Sequence, residues 1–116
     1  MKAAFRIALL IGGACWSDRA FSATETELVT YATIFSMSQE AEKNCPNTYA
    51  SDAAILILKE ENHVTEKDDR ALKLELNKAK TALDRQISAD GAPKWCKSIL
   101  ELYGPKGRVK NVLITR

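Results

Sequence analysis

The stretch TEKDDRALKLELNKAKTALDRQIS, residues 65–88, decides the fold. Leu72, Leu76, Ala79, Leu83 and Ile87 recur at steps of three and four, so they form one apolar stripe on a helix while charged side chains fill the other faces. About 24 residues at about 1.5 Å each make a rod of about 36 Å, which is marginal alone in water. The stripe therefore needs cover from the segments on either side, and those segments carry Cys45 and Cys96.

On the N-terminal side, Thr24 and Glu27 have the spacing of a capping box, which starts a helix over about 26–43. Leu28, Tyr31, Ile34, Phe35, Ala41 and Cys45 fall near one face, and Tyr31, Phe35 and Met37 read as core rather than as a ligand box. Pro46 disfavours helical geometry at Cys45 and has no N–H, so the first cysteine sits at a corner. Ser51 caps a second helix that runs to about Asn62, with Asp52 near its positive end. The run from Ala54 to Leu58 has no alternation and sits between alanines and Lys59-Glu60-Glu61, which favours helix over strand. Asn62-His63-Val64 links it to the long helix, capped by Thr65 with Asp68.

On the C-terminal side, Asp90-Gly91 stops the long helix and Pro93 starts a brief last one. Trp95, Cys96, Ile99, Leu100, Leu102 and Tyr103 give that helix its apolar face, and Gly104-Pro105 ends it. Residues 105–116 contain β-branched positions but no visible second strand, so they are expected to form an extended or frayed tail packed by Val109, Val112 and Ile114. The expected fold class is all-α: a small bundle of about four helices closed by one disulfide, a single domain over residues 23–116.

Residues 1–22 are expected to be a signal peptide. MKAAFR is basic, the run from Ile7 to Trp16 is apolar but too short to span a bilayer, and Ala20-Phe21-Ser22 puts small residues where a signal peptidase reads. Cleavage after Ser22 is favoured, with cleavage after Ala23 next. A competing reading treats IGGAC as a lipoprotein signal with Cys15 acylated, although Gly12 stands where such signals usually carry Leu. Either way the protein is expected to be periplasmic or secreted, or anchored through Cys15. Two cysteines then remain, and in an oxidising compartment an even count favours a Cys45–Cys96 bridge. Closing a loop of about 50 residues contributes at most about 4 kcal/mol.

The net charge of +2 belongs to the leader. Setting aside Lys2, Arg6 and Arg19 from 17 bases, and Asp18 from 15 acids, leaves 14 of each. That balance argues against a general nucleic-acid binder. The charges are nevertheless segregated: residues 23–61 carry seven acids and two bases, whereas residues 94–116 carry six bases and one acid. Lys94, Lys97, Lys106, Arg108 and Lys110 make a candidate basic surface for an anionic partner.

Catalytic parts are scarce. His63 is the only histidine, so a multi-histidine metal or haem site cannot be assembled, and a disulfide leaves no thiolate nucleophile. Asp68, Asp69 and Glu66 lack the spacing and glycine of a calcium loop and complement a helix start instead. No cofactor, metal or enzymatic activity is expected. His63, close in sequence to Glu60, Glu61 and Glu66, is the candidate pH sensor, being the side chain type that changes charge between about pH 5 and 8.

An exported helical chain of this length with Cys45 and Cys96 about fifty residues apart resembles, in general plan, small periplasmic acid-stress chaperones of the HdeA type. The resemblance covers architecture and carries no functional residue across. The expected function is a non-enzymatic module that binds another envelope or secreted protein; the alternative, which the resemblance implies, is a chaperone that exposes apolar helix faces at low pH.

Overall fold

The computed structural model describes residues 23–108 and 111–115. The signal-peptide and Cys15 readings, and Val109 and Lys110, lie outside the described residues. Among those residues the chain forms four α-helices: α1 Glu25–Asn44, α2 Asp52–Glu61, α3 Asp69–Asp90 and α4 Ala92–Tyr103. A single 3-10 turn, Glu66–Asp68, leads into α3, and two short strands, β1 Thr48–Ala50 and β2 Leu113–Thr115, complete the fold.

Local chemistry sets most boundaries. The Thr24 N–H donates to Glu27 Oε1 (2.9 Å) and the Glu27 N–H donates to Thr24 Oγ1 (3.1 Å), so the capping box forms in full. Cys45 ends α1 in an extended conformation (φ −111°, ψ 126°), as the following Pro46 requires. The Ser51 hydroxyl accepts from the Ala54 N–H (3.2 Å) and starts α2. Gly91 separates α3 from α4 at φ +87°, a backbone region that glycine enters without a Cβ penalty, and Pro93 occupies the first turn of α4.

The core places α1 at the centre. In its second half Ser36, Met37, Ser38, Glu40 and Ala41 are all buried. At 100° per residue these five positions span about 200° around the axis, more than half of its circumference. Small side chains permit that close cover, and the Ser38 hydroxyl, fully buried, donates to the Phe35 carbonyl (2.7 Å). The α3 helix lies along α1 in the most extensive pairing of the fold. Its stripe faces inward as expected, but only Leu83 is buried; Leu72, Leu76, Ala79 and Ile87 are half-buried.

The main cluster unites Met37, Ala41 and Cys45 with Leu83, Trp95, Cys96, Ile99, Val112 and Leu113. The Cys45–Cys96 disulfide runs through it, with Cα atoms 5.6 Å apart, within the expected bridge geometry. A smaller cluster at the other end gathers Leu28, Tyr31 and Val64, with Ala23, Phe35 and Leu72 against it.

The tail departs from the sequence expectation. β2 pairs antiparallel with β1, Thr48 facing Thr115, Tyr49 facing Ile114 and Ala50 facing Leu113, so the tail has a partner strand and the fold is mostly rather than purely helical. That partner lies in NCPNTYAS, read from sequence as a connection between helices. Three residues after a turn at Asn47 (φ +52°) are too short to show an alternating pattern. The ribbon is stabilised from outside: Leu113 and Val112 insert into the main cluster, and the Ser51 N–H donates to the Val112 carbonyl (2.8 Å). Gly107 permits the chain to turn back after α4, since a Cβ there would come within 2.4 Å of the Leu102 carbonyl oxygen.

Candidate functional site

His63 stands at the end of α2 in a left-handed conformation, φ +56°, with its N–H donating to the Glu60 carbonyl (3.1 Å). That turn swings the ring to the first turn of α1, where His63 Nδ1 lies 2.6 Å from Glu27 Oε2. The sequence neighbours Glu60, Glu61 and Glu66 are exposed. The carboxylate that meets His63 is therefore one 36 positions away, a correction to the expected grouping. The Glu27 carboxyl is held below its ordinary value first by the Thr24 backbone N–H and then by His63. The His63 side chain is 63% exposed, so the pair is a solvated clasp between two helix ends rather than an enclosed acid-base site.

The basic residues occupy the opposite end. Lys94 and Lys97, one turn apart on α4, are exposed, as are Lys106 and Arg108 in the connection that follows. Among the described residues none of the four is held in an ion pair. Lys94 and Lys97 lie in the first half of α4 and Lys106 and Arg108 beyond its end, so the helix rise separates the two groups by on the order of 10 Å. That spread suits an extended anionic surface better than one phosphate or carboxylate. Trp95, suspected from sequence to be core, is buried, with only 1% of its surface exposed. Its indole N–H has no acceptor among the described residues.

A third constellation escaped the sequence reading. Glu40 is buried between α1 and α3; its Oε2 lies 3.6 Å from Lys43 Nζ and 4.0 Å from Lys80 Nζ, and its Oε1 accepts from Asn44 Nδ2 (3.4 Å). Lys80 also donates to Asp84 Oδ2 (3.2 Å). Asp84 is the main reason the Lys80 ammonium is held above its ordinary range, and Lys80 in turn holds the Asp84 carboxyl below its own. The Lys80/Asp84 spacing of four was visible as a helix-face pair; the link to Glu40 was not, because nothing local relates residue 40 to residue 80. A groove of about 270 Å³ opens beside this seam, lined by Phe35, Gln39, Glu40, Lys43, Leu76 and Lys80. It is smaller than the usual range for small-molecule sites.

Among the described residues no group of three or more His, Cys, Asp or Glu side chains is arranged to hold a metal ion, and no helix is long and apolar enough to cross a membrane. In comparisons with known proteins, no protein-family model, no curated protein and no solved structure matches the chain.

Proposed function

We propose that the protein is an exported, non-enzymatic binding module whose basic end engages an anionic surface of another envelope or secreted protein. The observation that carries this reading is the set of four exposed cations, Lys94, Lys97, Lys106 and Arg108, none engaged by a carboxylate of the described chain. Surface bases on a small domain are commonly matched by nearby acids, and unmatched ones spread over an α-helix and its following turn present a positive field to a partner. The disulfide supports an oxidising compartment.

The reading is tested by recovering partners from periplasmic extract at low and at moderate salt, with wild type and with the variant carrying Lys94→Glu, Lys97→Glu, Lys106→Glu and Arg108→Glu. Expected is a partner retained by wild type, released by salt and lost in the variant. Equal recovery by both proteins removes the basic end from the function, and repeated recovery of no envelope or secreted protein removes the reading.

One observation favours a second reading, the acid-stress chaperone. Leu56 and Ile57 on α2 are 59% and 54% exposed, so apolar surface is already present and loosening of α2 would add to it. Dye binding and client aggregation followed from pH 7 to pH 2 decide it: a chain that keeps its near-ultraviolet signal and protects no client is not a chaperone.

A further inference from the structure

Asp68 is buried, 6% exposed, at the turn that leads into α3. Its Oδ2 accepts the Thr65 N–H (2.8 Å), lies 3.3 Å from the Thr65 hydroxyl and accepts the Ala23 N–H (3.3 Å). Among the described residues no Lys, Arg or His side chain pairs with it. A buried carboxylate usually has a counter-charge, because desolvating a charge without one is costly. Ala23 itself is docked, packed against the cluster of Leu28, Tyr31 and Val64.

We infer that the Ser22–Ala23 bond is the processing site and that the ammonium freed on Ala23 is the counter-ion of Asp68. A signal peptidase hydrolyses the amide: the C–N bond breaks, water's hydroxyl goes to the Ser22 carbonyl carbon and its hydrogen to the Ala23 nitrogen. The new Ser22 carboxyl releases a proton and the new amine takes one up, so the N–H that already reaches Asp68 becomes a charged donor. Processing turns an amide–carboxylate hydrogen bond into an ion pair joining the start of α1 to the turn that leads into α3. The geometry also distinguishes the alternative cuts. A chain starting at Thr24 lacks the nitrogen that meets Asp68, and a chain starting at Cys15 keeps it as an uncharged amide.

The inference rests on the export reading for the cut, and the experiment separates the two. The full-length chain is expressed with export, and the mass of the periplasmic product is measured. The purified product is then treated with pyridoxal phosphate, which converts an N-terminal alanine amine into a ketone and leaves lysines intact. Wild type and Asp68→Asn are unfolded in denaturant before and after treatment. Expected is a product beginning at Ala23 whose unfolding equilibrium shifts by about tenfold toward the unfolded state when the amine is removed, as for loss of a charged hydrogen bond. Asp68→Asn is less stable at the outset and does not respond further. A chain retained unprocessed in the cytoplasm overturns the export reading. An exported chain beginning elsewhere leaves export standing and overturns the inference. A product beginning at Ala23 that responds equally in wild type and Asp68→Asn overturns the pairing.

Discussion

The second half of α1 and the whole of α2 are both short helical runs, the first mostly polar and the second rich in successive apolar residues, yet Ser36, Met37, Ser38, Glu40 and Ala41 are buried in the first and nothing is buried in the second. Two serines and a glutamate lie inside while Leu56 and Ile57 face solvent. Position in the bundle, rather than hydrophobicity, decides which of these side chains is covered. α1 is flanked by α3, α4 and the β-ribbon, and the bridge from Cys45 to Cys96 holds its last turn against α4. α2 is seated more lightly: Ile55 and Leu58 pack half-buried against the two clusters, and the backbone hydrogen bond from Ser51 to Val112 ties its start to the tail. The contrast implies a chain whose resistance to unfolding is concentrated at the disulfide end, with α2 drawn from the low-stability part of the molecule.

The hardest blow to that contrast is removal of the bridge. Cys45→Ser or Cys96→Ser is expected to lower stability by about 2–4 kcal/mol, and the double change to cost little more than either single, since both remove one bond. Denaturant unfolding of the three variants checks it; additive losses would mean that the two positions act independently of the bond.

Next in size are truncations on the two sides of the contrast. Leu113→Ala and Met37→Ala delete fully covered side chains and are each expected to cost about 2–4 kcal/mol, whereas Leu56→Ala and Ile57→Ala are expected to cost less than about 1 kcal/mol. A large loss at Leu56 would show that α2 is seated more firmly than its exposure indicates. Leu113→Ala also tests the tail, because a frayed tail would register no loss.

Smaller effects come from the polar clasps. The Glu27 and Asp84 carboxyls are both held below their ordinary values of 4.5 and 3.8. A group depressed in the folded state contributes stability that is present above its unfolded value and is lost as pH falls through its folded value. Stability is therefore expected to decline as pH drops below about 4.5, and Glu27→Gln with Asp84→Asn to flatten the decline. Both side chains are solvated, so the effect should be modest and reduced by salt. Unfolding midpoints between pH 7 and pH 2, at low and high salt, measure it. Lys80, raised by Asp84, acts in the opposite sense: its contribution is complete below 10.5 and fades as pH rises through its folded value.

The smallest expected change is at the joint of α2. His63→Gln removes the contact with Glu27 Oε2 but leaves the turn, and because the pair is solvated the unfolding midpoint should shift only slightly. A shift as large as that from Leu113→Ala would mean that the clasp holds α2 more firmly than its exposure indicates.

The residues that announced themselves in sequence are those whose partners lie within a turn or two. Thr24 with Glu27, Pro46 after Cys45, Ser51 before Ala54, and Gly91 with Pro93 set helix ends through bonds and sterics that span one to three positions, so a linear reading finds them. The stripe of α3 was equally plain because helical period is a local property, and the bridge was expected from the two cysteines that remain once Cys15 is set aside with an expected leader. Tertiary structure alone settled the remainder. It made α1, with its buried serines and Glu40, the central helix; it paired Ala50 with Leu113; and it brought Glu27 to His63, Glu40 to Lys80 and Ala23 to Asp68. Each of these joins residues that no local period relates, and their meeting is set by how four amphipathic helices share one small core, where the free energy of covering apolar surface is a property of the whole packing arrangement rather than of any segment.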